Sequence, residues 1–328
     1  MDSFKALVVD KVNGEVVASS RVMKVEDLPE GQLLIKVSYS SINYKDALAF
    51  STNGNIVKNY PFVPGIDLAG VVVSSSDDQF QEGDEIVVTG YKLGVSHFGG
   101  FSSFARVPAE WAVKLPDNLT LKEAMIFGTA GFTAALSVLE LQEAGVLPES
   151  GPVLVTGATG GVGSVALAIL ARLGYEAVAS TGKAEMTDYL LGLGAKRVIS
   201  RDELLSGEIP ALGKQLWAGA VDCVGGKTLS SILPTLQYGG AVAASGLTGG
   251  TELAATVFPF ILRGIRLIGI DSVFAGMNRR KQVWQLLSSD YKPAMLDRMS
   301  EEIELEQVPE YVPVILKGQS RGRVVVKL

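Results

Sequence analysis

In 328 residues the chain has one cysteine, Cys223, and one histidine, His97. A single thiol excludes a disulfide within the chain and makes a reducing compartment, the cytoplasm, the expected location. The two residues stand far apart, whereas a typical zinc site draws three or four ligands from Cys, His and carboxylates. No metal is expected, and His97 reads as part of a polar loop at 96–100. Basic clusters are also missing, and the net charge is −6, so nucleic acid is not expected as a partner. No apolar run reaches the roughly 18–20 residues of a membrane span; Arg172 and Pro259 interrupt the best candidates. The N-terminus has no basic stretch ahead of an apolar core, so no secretory signal is read there.

Apolar residues (47%) and glycine (37 residues) are plentiful. At this length two domains are expected. Up to about residue 120 the reading is mainly β, with strict alternation over 33–40 and short strands at 4–9, 66–73 and 86–89. Asn13 with Gly14, Pro29 with Gly31, Pro64 with Gly65 and Gly83 with Asp84 supply the turns. At Thr120 the rhythm changes. Thr120 and Glu123 have capping-box spacing, ahead of helices through 124–127 and 129–141. Beyond 153, strands at 177–179, 197–199, 220–224, 241–244 and 265–270 alternate with helices at 165–173, 183–193, 228–236 and 279–287. Such alternation defines an α/β doubly wound parallel sheet. Past Pro293 the pattern lapses, and a β-rich tail at 322–327 reads as returning to the first domain.

The most informative stretch is VLVTGATGGVGS at 153–164, where an apolar strand meets a glycine-dense turn that opens into a helix. In that context a glycine pattern becomes a dinucleotide site: the turn is tight, the backbone approaches a pyrophosphate, and the helix start favours the anion. Gly160 and Gly163 fit the pattern, and Ala158 takes the place of its first glycine. Ala158, Thr159, Gly160, Gly161, Val162 and Gly163 are therefore the expected phosphate cradle. About 20 residues further on, an NAD site ends its second strand in Asp or Glu for the ribose 2′-hydroxyl. Here Ser180, Thr181, Gly182 and Lys183 follow, with no carboxylate. Hydroxyls and a lysine suit a 2′-phosphate, so NADPH is the expected cofactor. Arg197, opening the next strand, is either a second cation or a solvated charge.

Further motifs complete the pattern: NYKD at 43–46, PGIDLAG at 64–70, GTAGFT at 128–133 and SRGR at 320–323. With the glycine turn, they make the whole chain resemble the zinc-independent branch of the medium-chain dehydrogenase/reductase superfamily, above all its quinone oxidoreductases and acryloyl-CoA reductases. The resemblance implies a GroES-like, β-barrel-type catalytic domain at 1–122, completed by 294–328, and a Rossmann domain at 123–293. It implies hydride transfer from NADPH to a carbon–carbon double bond conjugated to a carbonyl, in a thioester or enone, or to a quinone. Where metal-dependent relatives carry zinc ligands, this chain has Asn43, Ile66 and Gly128. By the same resemblance Tyr44 lies beside the nicotinamide, with a proton-donor role as a hypothesis. Asn43 offers an amide, Lys45 a charge, and Asp67 an acidic group beneath the site; each is equally a turn or ion-pair residue. Leu247 and Ser272 would flank the nicotinamide, Ile261 would pack nearby, and Thr133 would reach in from the linking helix. Leu247 and Ile261 could equally be core. Gly318 stands where relatives often have a polar cofactor contact. A coenzyme A substrate would call for cations, with Arg263, Arg266, Arg279, Arg280 and Lys281 as candidates. The resemblance also implies a homodimer, with the apolar stretch 254–270 at its sheet edge. The contrasting reading is an NADPH-binding sensor or structural protein without turnover.

Overall fold

The structure is a computed structural model that describes residues 3–328. Strands β1 (Ser3–Val12) and β2 (Glu15–Lys24) form an antiparallel hairpin. Asn13 and Gly14 turn it with φ of 53° and 89°, the doubly left-handed form that a two-residue loop needs between right-twisting strands. In β3 (Leu33–Ile42), Leu33, Ile35 and Val37 are buried while Lys36 is exposed, as a period of two requires. Helix α1 (Tyr44–Ala49), β4 (Asp67–Ser75), β5 (Glu85–Thr89), β6 (Phe104–Val107) and β7 (Val113–Lys114) follow.

Helix α2 (Leu121–Glu143) begins on the expected cap: the Glu123 amide donates to Thr120 Oγ1 at 3.2 Å, and the Thr120 amide donates to the Glu123 carboxylate at 2.9 Å. The two helices expected here are one, kinked at Gly128 (φ 51°, ψ −156°). Contrary to the sequence expectation, α2 is long and apolar enough to cross a membrane. Its small Gly, Ala, Ser and Thr residues break up the apolar run without adding charge. Within the protein, 89% of the apolar window is buried by packing.

The next elements are β8 (Val153–Val155), α3 (Gly161–Arg172), β9 (Ala177–Thr181), α4 (Thr187–Gly192), β10 (Arg197–Ser200), α5 (Arg201–Leu204), β11 (Trp217–Asp222), α6 (Gly226–Ile232), β12 (Leu236–Ala244), α7 (Phe258–Arg263) and β13 (Arg266–Gly269). Their six strands form one parallel sheet in the order β10-β9-β8-β11-β12-β13. Every residue of β8, β9 and β11 is buried, as two covered sheet faces demand. The order reverses between β8 and β11, the place where ligands bind such sheets.

Helix α8 (Met277–Leu287), β14 (Ser300–Glu304), α9 (Val308–Leu316) and β15 (Arg323–Lys327) complete the chain. A seven-stranded sheet runs β14-β15-β3-β4-β5-β7, with β6 also paired to β3. The β-rich tail thus returns to the N-terminal strands. Two compact units result. One comprises the residues up to Thr129 with Val273–Ser288 and Leu296–Leu328; the other comprises Ala130–Ser272 with Ser289–Met295. Sequence rhythm had placed α8 with the nucleotide domain. Instead Arg280, fully buried, donates to both Thr89 O and Thr89 Oγ1 at 2.9 Å and to Val273 O at 3.1 Å. Its guanidinium also lies 4.5 Å from the Tyr91 ring centroid. One charged residue inside the first unit fixes where the helix belongs.

Candidate functional site

In the first unit the NYKD motif opens α1. Asp46, three residues into the motif, accepts from the Asn43 amide at 2.8 Å, closing the helix start, and from Ile66 N–H at 2.9 Å. Asp67 is fully buried. It accepts from Ser41 Oγ at 2.7 Å, Asn43 Nδ2 at 2.7 Å, the Thr129 amide at 2.8 Å and the Thr129 hydroxyl. Arg323 enters the same network, donating to Ser41 Oγ at 2.8 Å and Ile126 O at 3.0 Å. Its guanidinium lies 3.9 Å from Asp67, a Coulombic contact and not a hydrogen bond. Burial, and then the Asp67 charge, pushes the Asp46 carboxyl up to about 7.

This arrangement corrects two expectations. The Asn43 amide donates to Asp67 and, at 3.2 Å, to Asp46, and its Oδ1 accepts from Arg323 at 3.3 Å. Its donors are committed to protein and are not offered to a substrate. Asp67, with all its contacts internal, supports the network. Tyr44 differs: it begins α1 and is 45% exposed, while Lys45 is half-buried. The three positions that match zinc ligands in metal-dependent relatives share this neighbourhood: Asn43 is in the network, Ile66 N–H bonds Asp46, and Gly128 touches Asp67. Among the described residues, no group of three His, Cys, Asp or Glu side chains is placed to hold a metal.

In the second unit the glycine turn sits at the end of β8. Gly157 takes φ 56°, so the left-handed turn residue lies one position before Ala158. Ala158 is fully buried and spends its amide on Ser180 O at 3.2 Å. Gly160 N–H goes to Gly157 O at 2.9 Å, and the first helical bond of α3 runs from Ser164 N to Gly160 O at 2.9 Å. The amides of Gly161, Val162 and Gly163 therefore have no helical carbonyl ahead of them and suit an anion. A Cβ on Gly163 would lie 2.4 Å from Gly157 O and 2.8 Å from Ala158 Cα. That proximity is the close helix–strand approach a dinucleotide turn needs. The residues fit the pyrophosphate, although the Ala158 amide, spent on Ser180 O, supports rather than donates.

The rim continues along the carboxyl ends of the strands. Fully buried Asp222 accepts from Thr156 Oγ1 at 2.6 Å and Gly225 N at 2.8 Å, and burial raises its carboxyl above the usual range. The loop after β12 lies against this turn: a Cβ on Gly225 would lie 2.6 Å from Gly246 O and 3.3 Å from Leu247 Cα. Leu247 is 62% exposed on that rim. Thr133 Oγ1 donates to Ser272 Oγ at 2.8 Å, so those two expected contacts meet. Ile261 does not join them. Phe260 packs inward on α7, turning Ile261 out to 69% exposure, and Arg263 ties the helix to Pro234 O and Leu236 O, at the opposite end of β12. Gly318 is exposed, and its amide bonds Ile315 O at the end of α9. Four of the five cations considered for coenzyme A are engaged locally: Arg263 as above, Arg266 on Ala144 O, Arg279 on Gln282, and Arg280 inside its own unit; Lys281 is exposed on α8.

At the second strand's end, Ser180 and Thr181 are buried, and Thr181 Oγ1 accepts from the Lys183 amide at 3.1 Å. Gly182 is exposed and Lys183 half-buried. Arg197 is elsewhere. It starts β10 opposite Val178, and its guanidinium lies 5.8 Å from the Trp217 ring. The strand advances about 3.3 Å per residue, which leaves Arg197 at the far end of the sheet from the cradle. The cation at the near end is Arg201, directly after β10: a Cβ on Gly182 would lie 2.6 Å from its Nη2. Sequence reading missed it by fixing on a strand's first residue, when the residue after the last one faces a ligand.

Fold and cradle together define a two-unit dinucleotide-binding protein of the dehydrogenase type. The "Alcohol dehydrogenase GroES-like domain" family matches residues 29–117, and the "Zinc-binding dehydrogenase" family matches 161–289. The chain belongs to the medium-chain dehydrogenase/reductase superfamily. It is 55% identical to YhfP of Bacillus subtilis, a protein assigned, though not established, as a quinone oxidoreductase, over 99% of both chains. To the acrylyl-CoA reductase AcuI of Ruegeria pomeroyi it is 48% identical over 98% of both. The crystal structure of B. subtilis YhfP with NAD bound superposes with a TM-score of 0.98 at 55% identity, covering 100% of both chains. That of the Salmonella enterica oxidoreductase yhdH with NADP gives 0.96 at 45% identity, covering 99% of both.

Proposed function

We propose that the protein is an NADPH-dependent oxidoreductase that reduces a carbon–carbon double bond conjugated to a carbonyl, in an acryloyl-CoA-like thioester or an enone, or reduces a quinone. The observation that carries this reading is the second-strand terminus. It has Gly182 and Lys183 with Arg201 alongside and no carboxylate for a free ribose hydroxyl, next to a glycine turn with open helix-start amides. AcuI, at 48% identity, supports the thioester, and YhfP, at 55%, supports the quinone.

Bound NADPH supplies the hydride. The Gly161, Val162 and Gly163 amides would hold its pyrophosphate, and Lys183 would neutralise the 2′-phosphate. Hydride arriving at the β-carbon leaves an enolate, which a donor to the carbonyl oxygen stabilises and a proton at the α-carbon completes. Tyr44, whose side chain is exposed while the Asn43 amide is spent on Asp67 and Asp46, is the side chain we assign as donor. We further propose a cytoplasmic homodimer. β13 is an edge strand, and nearby Val257, Phe258, Ile261 and Leu262 are 65%, 47%, 69% and 54% exposed, an apolar surface that suits a second copy. Light scattering giving a monomer mass would remove the dimer. The function is tested by following NADPH oxidation with acryloyl-CoA, crotonyl-CoA, simple enones and quinones. Turnover on one class fixes the substrate, and binding without turnover on any refutes the enzyme reading.

A further inference from the structure

Asp222 closes β11 at the centre of the nucleotide sheet, between β8 and β12. Its partners there are one hydroxyl and backbone amides, with no cation beside it among the described residues. A fully buried carboxylate of that kind is costly, and an apolar strand end would be easier to bury. The carboxylate joins a fixed part of the rim to a loose one. Thr156 is fixed. Its amide bonds Val221 O at 3.1 Å within the β8–β11 pairing, and its hydroxyl, while donating to Asp222, accepts from the Cys223 amide at 3.0 Å. Beyond Cys223 the chain leaves the sheet through Gly225 and Gly226, with φ of 72° and 53°. Asp222 holds both sides of this exit: its Oδ2 accepts from Gly225 N–H at 2.8 Å, and its backbone carbonyl accepts from the Ser245 amide at 2.9 Å, where β12 ends. The two loops then interleave with no side chain between them. A Cβ on Gly226 would lie 2.4 Å from Gly249 O, and Gly249 N–H bonds Val224 O at 2.8 Å. Together they form one shelf, with Leu247 as its exposed apolar tip.

Building on the NADPH reading, we propose that Asp222 is a positioning residue: through Gly225 it sets the height of this shelf, and with it the place where the nicotinamide end of the dinucleotide rests against Leu247. The phosphate cradle does not depend on Asp222, because the turn has bonds of its own, from Ala158 N–H to Ser180 O and from Gly160 N–H to Gly157 O. Asp222 therefore governs where the hydride-bearing ring is held, and not whether the dinucleotide binds. A shift of about 1 Å at that ring costs on the order of a hundredfold in transfer rate.

Two variants move the shelf by different routes. Asp222→Asn keeps the side-chain shape but turns one accepting oxygen into a donor, so the Thr156 and Gly225 bonds cannot both survive unchanged. Gly226→Ala forces the loops apart at Gly249 O with Asp222 untouched, and it carries the test if the first variant does not fold. Titration calorimetry with 2′,5′-ADP reads the adenosine half alone, and the emission of bound NADPH reports the surroundings of the nicotinamide without turnover. In both variants 2′,5′-ADP affinity should stay within about twofold, while the emission moves toward that of free NADPH. Turnover of acryloyl-CoA or a simple quinone should fall about ten- to a hundredfold, with KM for NADPH changed less than about threefold. Wild-type emission and turnover in a folded variant would overturn the positioning role. So would a loss of 2′,5′-ADP affinity as large as the loss of turnover, which marks a general collapse of the rim. A wild type that binds neither 2′,5′-ADP nor NADPH overturns the cofactor reading itself, and this proposal with it.

Discussion

Replacing Gly128 by alanine should destabilise the first unit far more than the same change at an ordinary left-handed glycine. The backbone at Gly128 (φ 51°, ψ −156°) lies in a region that is essentially glycine's alone, at on the order of 1–3 kcal/mol for another residue. The new Cβ would stand 2.5 Å from Asp67 Oδ2 and Ser41 Oγ and 2.7 Å from Arg323 Nη2. These atoms cannot swing into solvent, because Asp67 is 0% and Arg323 3% exposed and both are held by hydrogen bonds. Forcing them apart approaches the roughly 3–5 kcal/mol of a broken buried pair. The two effects together approach roughly 4–8 kcal/mol. Gly83→Ala is the control: φ is 92°, yet nothing lies within 4 Å of its Cβ position. Urea unfolding followed by tryptophan fluorescence measures both variants, with Trp111 and Trp284 reporting on the first unit. Equal losses in the two variants would refute the packed network as the reason for a glycine at 128.

Three further outcomes follow from the same geometry. Gly163→Ala sets a Cβ against the backbone of the turn, so the turn must shift, and NADPH affinity by fluorescence titration should fall at least about tenfold in a folded protein; wild-type affinity would contradict the close approach. Asp46, pushed up to about 7 in the fold, holds a proton there that the unfolded chain releases. Its contribution is full below the ordinary carboxylate range and falls by about 1.4 kcal/mol per pH unit up to neutrality, then levels off. Asp46→Asn should flatten that part of the stability profile between pH 4 and pH 7, and unchanged slopes would exclude the protonated buried carboxyl. Tyr44→Phe should lower turnover about ten- to a thousandfold, if the phenol donates in the transition state, with dinucleotide affinity nearly kept; wild-type turnover would remove the donor role.

The sheet that binds the cofactor was legible because its strands are buried on both faces and its turn chemistry is local. The places of Gly160 and Gly163 at the start of α3 and of Lys183 just past β9 could be read from spacing alone. Arg201 could not, because its partner Gly182 is 19 residues away and only the strand pairing of β9 with β10 brings them together. The Asp67 network joins β3, β4, the kink of α2 and β15. Each of its members, read alone, is an ordinary polar residue. Helix α9 was obscured by Pro309 and Pro313, although Val308, Val312 and Ile315 keep its buried face. Side-chain competition among Asn43, Asp46 and Asp67 is equally invisible in sequence, which is why Asn43 read as a free donor.

The place of β15 in the first sheet imposes an order on the molecule's birth. This strand pairs with both β3 and β14, and its Arg323 reaches Ser41, 282 positions earlier. At a synthesis rate of about 5–20 residues per second, β3 waits on the order of 15–60 s for that neighbour. The second unit has all its sheet strands by residue 269 and can be complete in its sheet while the first unit still exposes an unpaired edge. A ribosome stalled before Arg323 would therefore hold a finished nucleotide sheet beside an open, aggregation-prone one.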